Sequence, residues 1–294
     1  MTDRSYWDSA HESEKAFWDK NELKKSMRIS RIKTLIKTIL GQKILEYMRS
    51  YEDYLLWEVI YRKYLPNTAG ARVLEVGSAP GDYLIRLSET FNCIPYGIEY
   101  TDSGVELNRQ LFSAHNIDPN NVIHADFLSE EFHKRYQGQF EFVISRGFIE
   151  HFTDAKGIVE KHLNLLSENG VLVISVPNLR GLNYLLARAF HKELIAMHNL
   201  TIMAKSRFKE LFDQNAVSEI FCDYYGTFNF GLFNARENSV RNSILGLCMK
   251  AQLLLNFAFR IIFRERGAES AYFSPVLLFV GRKRNGAPGY YAES

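Results

Sequence analysis

Cysteine is scarce in this chain: Cys93, Cys222 and Cys248 are the three among 294 residues. They stand far apart, with no CxxC pair and no Cys/His cluster. That spacing excludes a zinc ribbon, and the odd count excludes a disulfide-framework scaffold. A reducing compartment fits. The amino-terminal stretch MTDRSYWDSAHESEK is polar and lacks an apolar h-region, so no secretory signal is expected and a cytoplasmic location is. Internal repeats and low-complexity tracts are also missing. The formal net charge is only +2, which supplies no global basic field and disfavours a nucleic-acid partner. What remains is ordinary for a globular protein, 46% hydrophobic and 24% charged, and long enough to bury a sizeable core.

Three textures follow one another. Residues 1–66 read as a helical extension. Within it, 22–50 carries Ile29, Ile32, Ile36, Ile39 and Leu40 at helical spacing, interleaved with Lys24, Lys25, Arg28, Arg31, Lys33, Lys37 and Lys43. The pattern predicts a basic amphipathic helix. A second helix is expected over 51–64, ended by Pro66 and Asn67. From residue 71 short Val/Ile-rich runs alternate with helical patterns: ARVLEV (71–76), CIPYGIE (93–99), NVIHA (121–125), FEFVIS (140–145) and GVLVISV (170–176). Such alternation predicts βαβ units and a parallel sheet with helices on both faces. Two more strands are expected at 221–230 and 274–284. Helical insertions are expected at 179–215 and 232–270, within a core spanning 67–285, and 286–294 reads as a tail. The run SILGLCMKAQLLLNFAFRIIF (243–263) is nearly long enough to span a bilayer. Lys250 near its middle favours a helix packed on the core or capping the substrate site, ahead of an interfacial membrane contact and of a true span.

The chemistry concentrates in VLEVGSAPGDYLIRL (73–87), a strand, a glycine-containing loop and a helix. Gly77 and Gly81 allow a sharp turn and close backbone approach to a ligand. The free N–H groups at the following helix start favour an anionic group. A nicotinamide-type G-x-G-x-x-G loop would need glycine at 79 and 82, where Ala79 and Asp82 stand. Glu99 follows Gly81 by 18 positions, near the offset at which a carboxylate meets both hydroxyls of a ribose. At the end of the third run, Asp126 is placed to accept from an adenine amino group and Phe127 to lie against the ring. A helix cap or surface turn is the other reading of Asp126.

These motifs resemble the class I S-adenosylmethionine-dependent methyltransferases, whose first motif is an acidic residue followed by a G-x-G-x-G loop. Glu75 matches the acidic residue, Gly77 and Gly81 the first and third glycines, and Ala79 stands in for the second. The resemblance implies a Rossmann-like α/β fold with a seven-stranded, mostly parallel sheet and an antiparallel last strand. It implies S-adenosylmethionine as cofactor, with Glu75, Gly77, Ala79 and Gly81 around its methionine part, Glu99 on its ribose and Asp126 with Phe127 near adenine. FEFVISRGFIEHFTD (140–154) resembles the family's fourth-strand motif, and Arg146 at its end is placed on the cofactor side.

The acceptor should arrive beyond the carboxyl ends of strands four and five. Glu150, Asn178, Arg180 and Tyr184 are the expected acceptor-side residues. His151 is a candidate base, with a structural histidine as its alternative, and His198 is a second candidate. Some quinone-pathway O-methyltransferases have a similar Glu-His pair plus an earlier glutamate that bind a divalent metal. Gly147 stands at the earlier position here, so no metal is expected. The pattern VPN-x-x-G-x-N-Y resembles bacterial methyltransferases found with surface-glycan enzymes, which implies a sugar, a lipid-linked intermediate or a small metabolite as acceptor. Peripheral membrane contact through 22–50 and 243–263 would suit a lipid-linked acceptor. Two other readings stay open. The APG loop is similar to that of ribose-methylating RNA enzymes, but those use a lysine after strand four, and this chain has none until Lys156. A non-catalytic binding protein on the same fold is the third.

Overall fold

The computed structural model describes residues 47–65, 68–233 and 239–286. The amphipathic helix expected over 22–50 lies outside the described residues except at 47–50, and the expected tail lies outside them beyond Gly286.

The first described element, α1, runs Tyr51–Tyr54, continues as a π-helical stretch Leu55–Tyr61 and ends with Arg62–Tyr64. Ser50 caps it by accepting from the Asp53 N–H. Then β1 (Arg72–Val76), α2 (Asp82–Phe91), β2 (Ile94–Glu99), α3 (Asp102–Ala114) and β3 (Val122–His124) alternate. They are followed by α4 (Glu130–Tyr136), β4 (Phe140–Arg146), α5 (Ala155–Leu165) and β5 (Leu166–Pro177). Three short helices, α6 (Leu182–Phe190), α7 (Glu193–Met197) and α8 (Lys205–Lys209), precede β6 (Val217–Tyr225). A long helix, α9 (Ser239–Ile262), precedes β7 (Val276–Lys283).

The sheet has seven strands in the order β3-β2-β1-β4-β5-β7-β6. The β1–β2, β1–β4, β2–β3 and β4–β5 pairs are parallel, and β7 is antiparallel to both β5 and β6. This is the expected Rossmann-like architecture. β5 and β6 differ most from the sequence expectation, and β6 already begins at Val217. β5 begins at Leu166, which pairs with Phe140 across a register shift. β6 stops at Tyr225 because Gly226 (φ +100°) and Thr227 (φ +53°) turn the chain out of the sheet.

Side-chain alternation explains the two layers. Leu74, Val76, Val143, Leu172, Ile174 and Leu277 face one core, with Ile158, Val159 and Leu163 of α5. Val73, Phe142, Ile144, Val171, Val173 and Leu278 face the other, with Trp57 and Tyr61 of α1 and Leu84 of α2. With both faces covered, the strands have little need of polar residues, and the near-continuous apolar runs follow from that.

Helix α9 is amphipathic in an inverted sense. Its polar Gln252 and Asn256 are buried, 4% and 5% exposed. Gln252 accepts from the Phe230 N–H and donates to the Phe228 carbonyl, while Asn256 donates to the Met48 carbonyl. On the opposite side Val240, Ile244, Leu247, Leu254 and Ile261 stand exposed at steps of four, three, seven and seven, which keep them on one face. By length and composition Ser243–Ile262 could cross a membrane. Undocking it, however, would leave buried amide groups without partners.

Candidate active site

The loop between β1 and α2 is shaped by residues that touch it from behind. Gly77 has φ +71° and Gly81 has φ +102°, both left-handed. A side chain at Gly81 would strike the amide of Asn108, and one at Gly97 of β2 would strike the Ser78 hydroxyl. Asn108, fully buried on α3, donates to Ser78 Oγ at 2.6 Å. The N–H groups of Gly77 and Ser78 donate to the Ile98 carbonyl at 3.1 and 3.2 Å. The loop is thus clamped to β2 and α3, with Gly81 opening α2 as its cap residue. Asn108, Ser78 and Gly97 shape this loop, and no sequence signal had singled them out.

Glu75 sits one strand position before Val76 and is 2% exposed. Arg146 Nε, at the end of β4, donates to its Oε1 at 3.0 Å. The guanidinium lies 3.5 Å from the centre of the Tyr83 ring. Glu75 Oε2 is buried without a hydrogen-bond partner. Burial raises this carboxyl to about 7, opposed by the Arg146 charge. A buried acceptor of this kind calls for a cationic donor. An α-ammonium group fits it, and a dinucleotide phosphate does not.

Glu99 ends β2 and is 4% exposed. Its Oε1 accepts from the N–H groups of Tyr100 and Thr101, both at 2.9 Å, and from the Thr101 hydroxyl at 2.8 Å. One oxygen therefore holds the carboxylate in place. Gly104 is required beside it, since a side chain there would meet Thr101 and Glu99 within 3.0 Å. Asp126 is exposed and its Oδ1 accepts from the Leu128 N–H at 2.8 Å, a surface turn. Phe127 is 5% exposed. Its ring packs on Phe132, His133, Phe148 and His162, and its carbonyl accepts from His133 Nε2 at 2.7 Å. It therefore builds the wall behind this end of the cleft and shows little ring surface to a ligand.

A cavity of about 580 Å³ opens beyond the carboxyl ends of β4 and β5, within the usual size range of small-molecule sites. Arg146, Gly147, Glu150, His198, Tyr83 and Tyr225 line it, with Glu52, Asp53 and Trp57 of α1 across from them. The aromatic, amphipathic pattern of 51–64 was the available sequence signal for that wall. Glu52 accepts from Asn229 Nδ2 at 2.7 Å. Arg86 pairs with Asp53 at 2.6 Å and lies over Trp57 at 4.1 Å. The cavity thus has acidic and basic groups on facing walls.

Glu150, at 1% exposure, has both carboxylate oxygens buried without a hydrogen-bond partner. Burial raises it to about 8. His198 Nε2 lies 4.0 Å from Glu150 Oε1, and the rings of His151 and His198 are 4.6 Å apart. His198 Nδ1 is 2.6 Å from the Leu194 carbonyl, and His151 Nδ1 is 3.2 Å from that of Met197. A carbonyl only accepts, so His198 Nδ1 carries the proton and its Nε2 the lone pair, whereas the His151 ring is held by two backbone carbonyls, those of Met197 and Gly147. Burial lowers His151 to about 4, helped by its neighbour His198. His198 is lowered by burial too.

Three of the expected acceptor-side residues lie elsewhere. Asn178 is fully buried, and its amide donates to the Ala271 and Ser274 carbonyls at 3.1 and 2.7 Å. It ties the chain after β5 to the segment before β7. Arg180 and Tyr184 line a separate, open hollow with Leu200 and Arg207. The reason is that the Gly181 backbone (φ +57°) packs against Tyr272, carrying α6 away from the cavity.

Residues 48–217, more than half of the chain, match the model of a family described as methyltransferase domain. No curated protein matches. Among solved structures, one assigned as a sarcosine dimethylglycine methyltransferase from Galdieria sulphuraria aligns with a TM-score of 0.52 at 15% identity, covering 80% of this chain and 85% of that one. One assigned as a methyltransferase from Bacillus halodurans aligns at 0.51 and 14% identity, covering 80% and 99%. A [4+2]-cyclase, SpnF, aligns at 0.51 and 12%, covering 79% and 81%. At these identities the structural likeness concerns the fold alone. The residues that surround the β1–α2 loop fit S-adenosylmethionine, because Glu75 offers a buried anionic oxygen and Glu99 a fixed carboxylate at the next strand end. The chain belongs to the methyltransferase-domain family, and S-adenosylmethionine is its cofactor.

Proposed function

We propose that the chain methylates a hydroxyl group on a sugar, a lipid-linked glycan intermediate or a small metabolite. The observation that carries this reading is the acceptor side of the cavity, where Glu150 and His198 present a carboxyl and a neutral imidazole. The bound cofactor supplies an electrophilic methyl group; the protein aligns and desolvates the reactants. A hydroxyl acceptor benefits from a group that takes its proton. His198 is that group, with its lone pair on Nε2, and His151 packs behind it as a positioning residue. The Glu52 and Asp53 wall favours an acceptor with several hydroxyl donors. A screen with labelled cofactor against glycans, quinones and RNA tests the reading. Label on a glycan hydroxyl supports it, and label only on RNA would replace it with the RNA reading.

Sharp titration behaviour follows from Glu75. Its carboxyl sits near 7 in the free protein. An ammonium group beside Oε2 favours the charged form, so the bound pKa is lower. Affinity for the cofactor is then full above pH 7 and falls as pH drops through about 7, by up to about tenfold per unit. Calorimetry at pH 8 and pH 6 is expected to show about tenfold weaker binding at the lower value. Glu75→Gln should flatten the profile, and a flat wild-type profile would remove the ammonium contact.

The exposed stripe of α9 supports an acceptor met at a membrane. The helix carries Arg241, Lys250 and Arg260 and no acidic residue, so an anionic lipid surface is its complement and a second, equally basic copy is not. Leu247→Ser with Leu254→Ser is expected to abolish sedimentation with vesicles containing anionic phospholipid and to leave cofactor affinity unchanged. If the double variant sediments like the wild type, the stripe does not meet lipid. If it instead converts a dimer to a monomer, the occupant is a second copy.

A further inference from the structure

The sequence reading set a metal aside because Gly147 replaces the earlier glutamate of the fourth-strand segment. The fold supplies a different third group. One ligand atom from each of Glu150, His151 and His198 lies within 4.8 Å of the others. His198 comes from the chain between α7 and β6, far along the sequence from the Glu-His pair. We propose that Glu150, His151 and His198 form a binding site for one divalent transition-metal ion at the acceptor end of the cavity. The inference rests on the location of the acceptor side given above, and not on which acceptor is used.

Three observations carry it. First, a carboxylate that is 1% exposed has no partner for either oxygen, which is costly unless a cation compensates it. Second, the Nδ1–H of His198 is directed at the Leu194 carbonyl. That outer arrangement fixes the tautomer in which its Nε2 can ligate, and it is common around metal-bound histidines. Third, the spacing is near that of a ligand set. Tetrahedral ligands at about 2.1 Å from an ion are about 3.4 Å apart, and Glu150 Oε1 is 4.0 Å from His198 Nε2. That pair closes by roughly half an ångström and the widest of the three by up to about 1.4 Å to complete the set.

Two imidazoles and one carboxylate suit zinc, manganese, iron(II) or cobalt(II) better than calcium or magnesium. Three protein ligands leave a coordination position open. Glu150 and His198 line the cavity, so that position faces the acceptor and takes an oxygen ligand, such as a hydroxyl or a pair of neighbouring hydroxyls. With an ion bound, Nε2 of His198 is committed to it, and the acidity of the acceptor hydroxyl is set by the ion instead of by the imidazole.

The test uses full-length protein freed of metal by chelator and then titrated with cobalt(II). The expected result is one equivalent bound, with visible d–d absorption that zinc abolishes. Glu150→Gln and His198→Ala should each weaken cobalt binding by at least about tenfold, while S-adenosylmethionine affinity by calorimetry stays at the wild-type value. Retained cofactor affinity shows that the variants fold. Wild-type protein that binds no cobalt, or variants that bind it as the wild type does, would overturn the site. Failure of the metal with cofactor binding and hydroxyl methylation intact would leave the imidazole as base and the proposed function standing.

Discussion

Glu99→Ala is expected to weaken S-adenosylmethionine binding by at least about a hundredfold. The size follows from two effects acting together. With Glu99 assigned to the ribose, the carboxylate would accept from two sugar hydroxyls, each a hydrogen bond to a charged acceptor, and such bonds contribute about 1.5–3 kcal/mol apiece. Truncation also removes the anchor for the N–H groups of Tyr100 and Thr101 and for the Thr101 hydroxyl, which all converge on Oε1. Glu99→Gln separates the two effects. The amide oxygen keeps the local acceptor role but loses charge, so an intermediate loss of about tenfold is expected. Calorimetry reads both values. Wild-type affinity in Glu99→Ala would detach position 99 from the cofactor.

His198→Ala is expected to lower turnover by about 10²–10⁴-fold, the usual contribution of a positioned general base. Cofactor affinity should hold, because the side chain faces the cavity from beyond β5 and not from the β1–α2 loop. His151→Ala should lower turnover less. Its Nδ1 holds the Met197 carbonyl, just before His198, and its ring packs on the His198 ring. With His198 as the base, its role is therefore positioning. The split between kcat and cofactor Kd is the diagnostic: a fall in kcat with unchanged Kd marks the acceptor side, whereas equal changes in both would mark a general loss of structure. Wild-type turnover in His198→Ala would remove it from the proton path.

The frame of the candidate cofactor side was legible in the sequence because it is local. A strand, a turn that requires left-handed glycines and a helix start lie within fifteen residues, and the strand-end carboxylate follows at a regular interval. What sequence could not display was the clamp. Asn108 reaches Ser78 only because α3 packs beside the loop, and no pattern in 102–114 distinguishes that asparagine from a solvated one. Gly97 likewise reads as a weak strand residue until Ser78 is seen against it. The acceptor side was less legible for a related reason. Glu150 and His151 are neighbours in sequence, but His198 joins them only through the path of α6 and α7. Asn178, Arg180 and Tyr184 were placed by proximity to the end of β5. The chain there turns to pack on Ala271–Ser274, and a turn set by a distant backbone leaves no local mark. The two covered faces of the sheet, by contrast, follow from near-continuous apolar runs that each strand displays, and the mostly parallel architecture follows from the resemblance to the family.

The most direct measurement is a crystal structure with S-adenosylhomocysteine. The ribose hydroxyls are expected on the Glu99 carboxylate, the ammonium group on Glu75 Oε2 and the sulfur facing the cavity lined by Glu150 and His198. A nucleoside bound away from Glu99, or a carboxylate group seated where the ammonium should be, would contradict this placement.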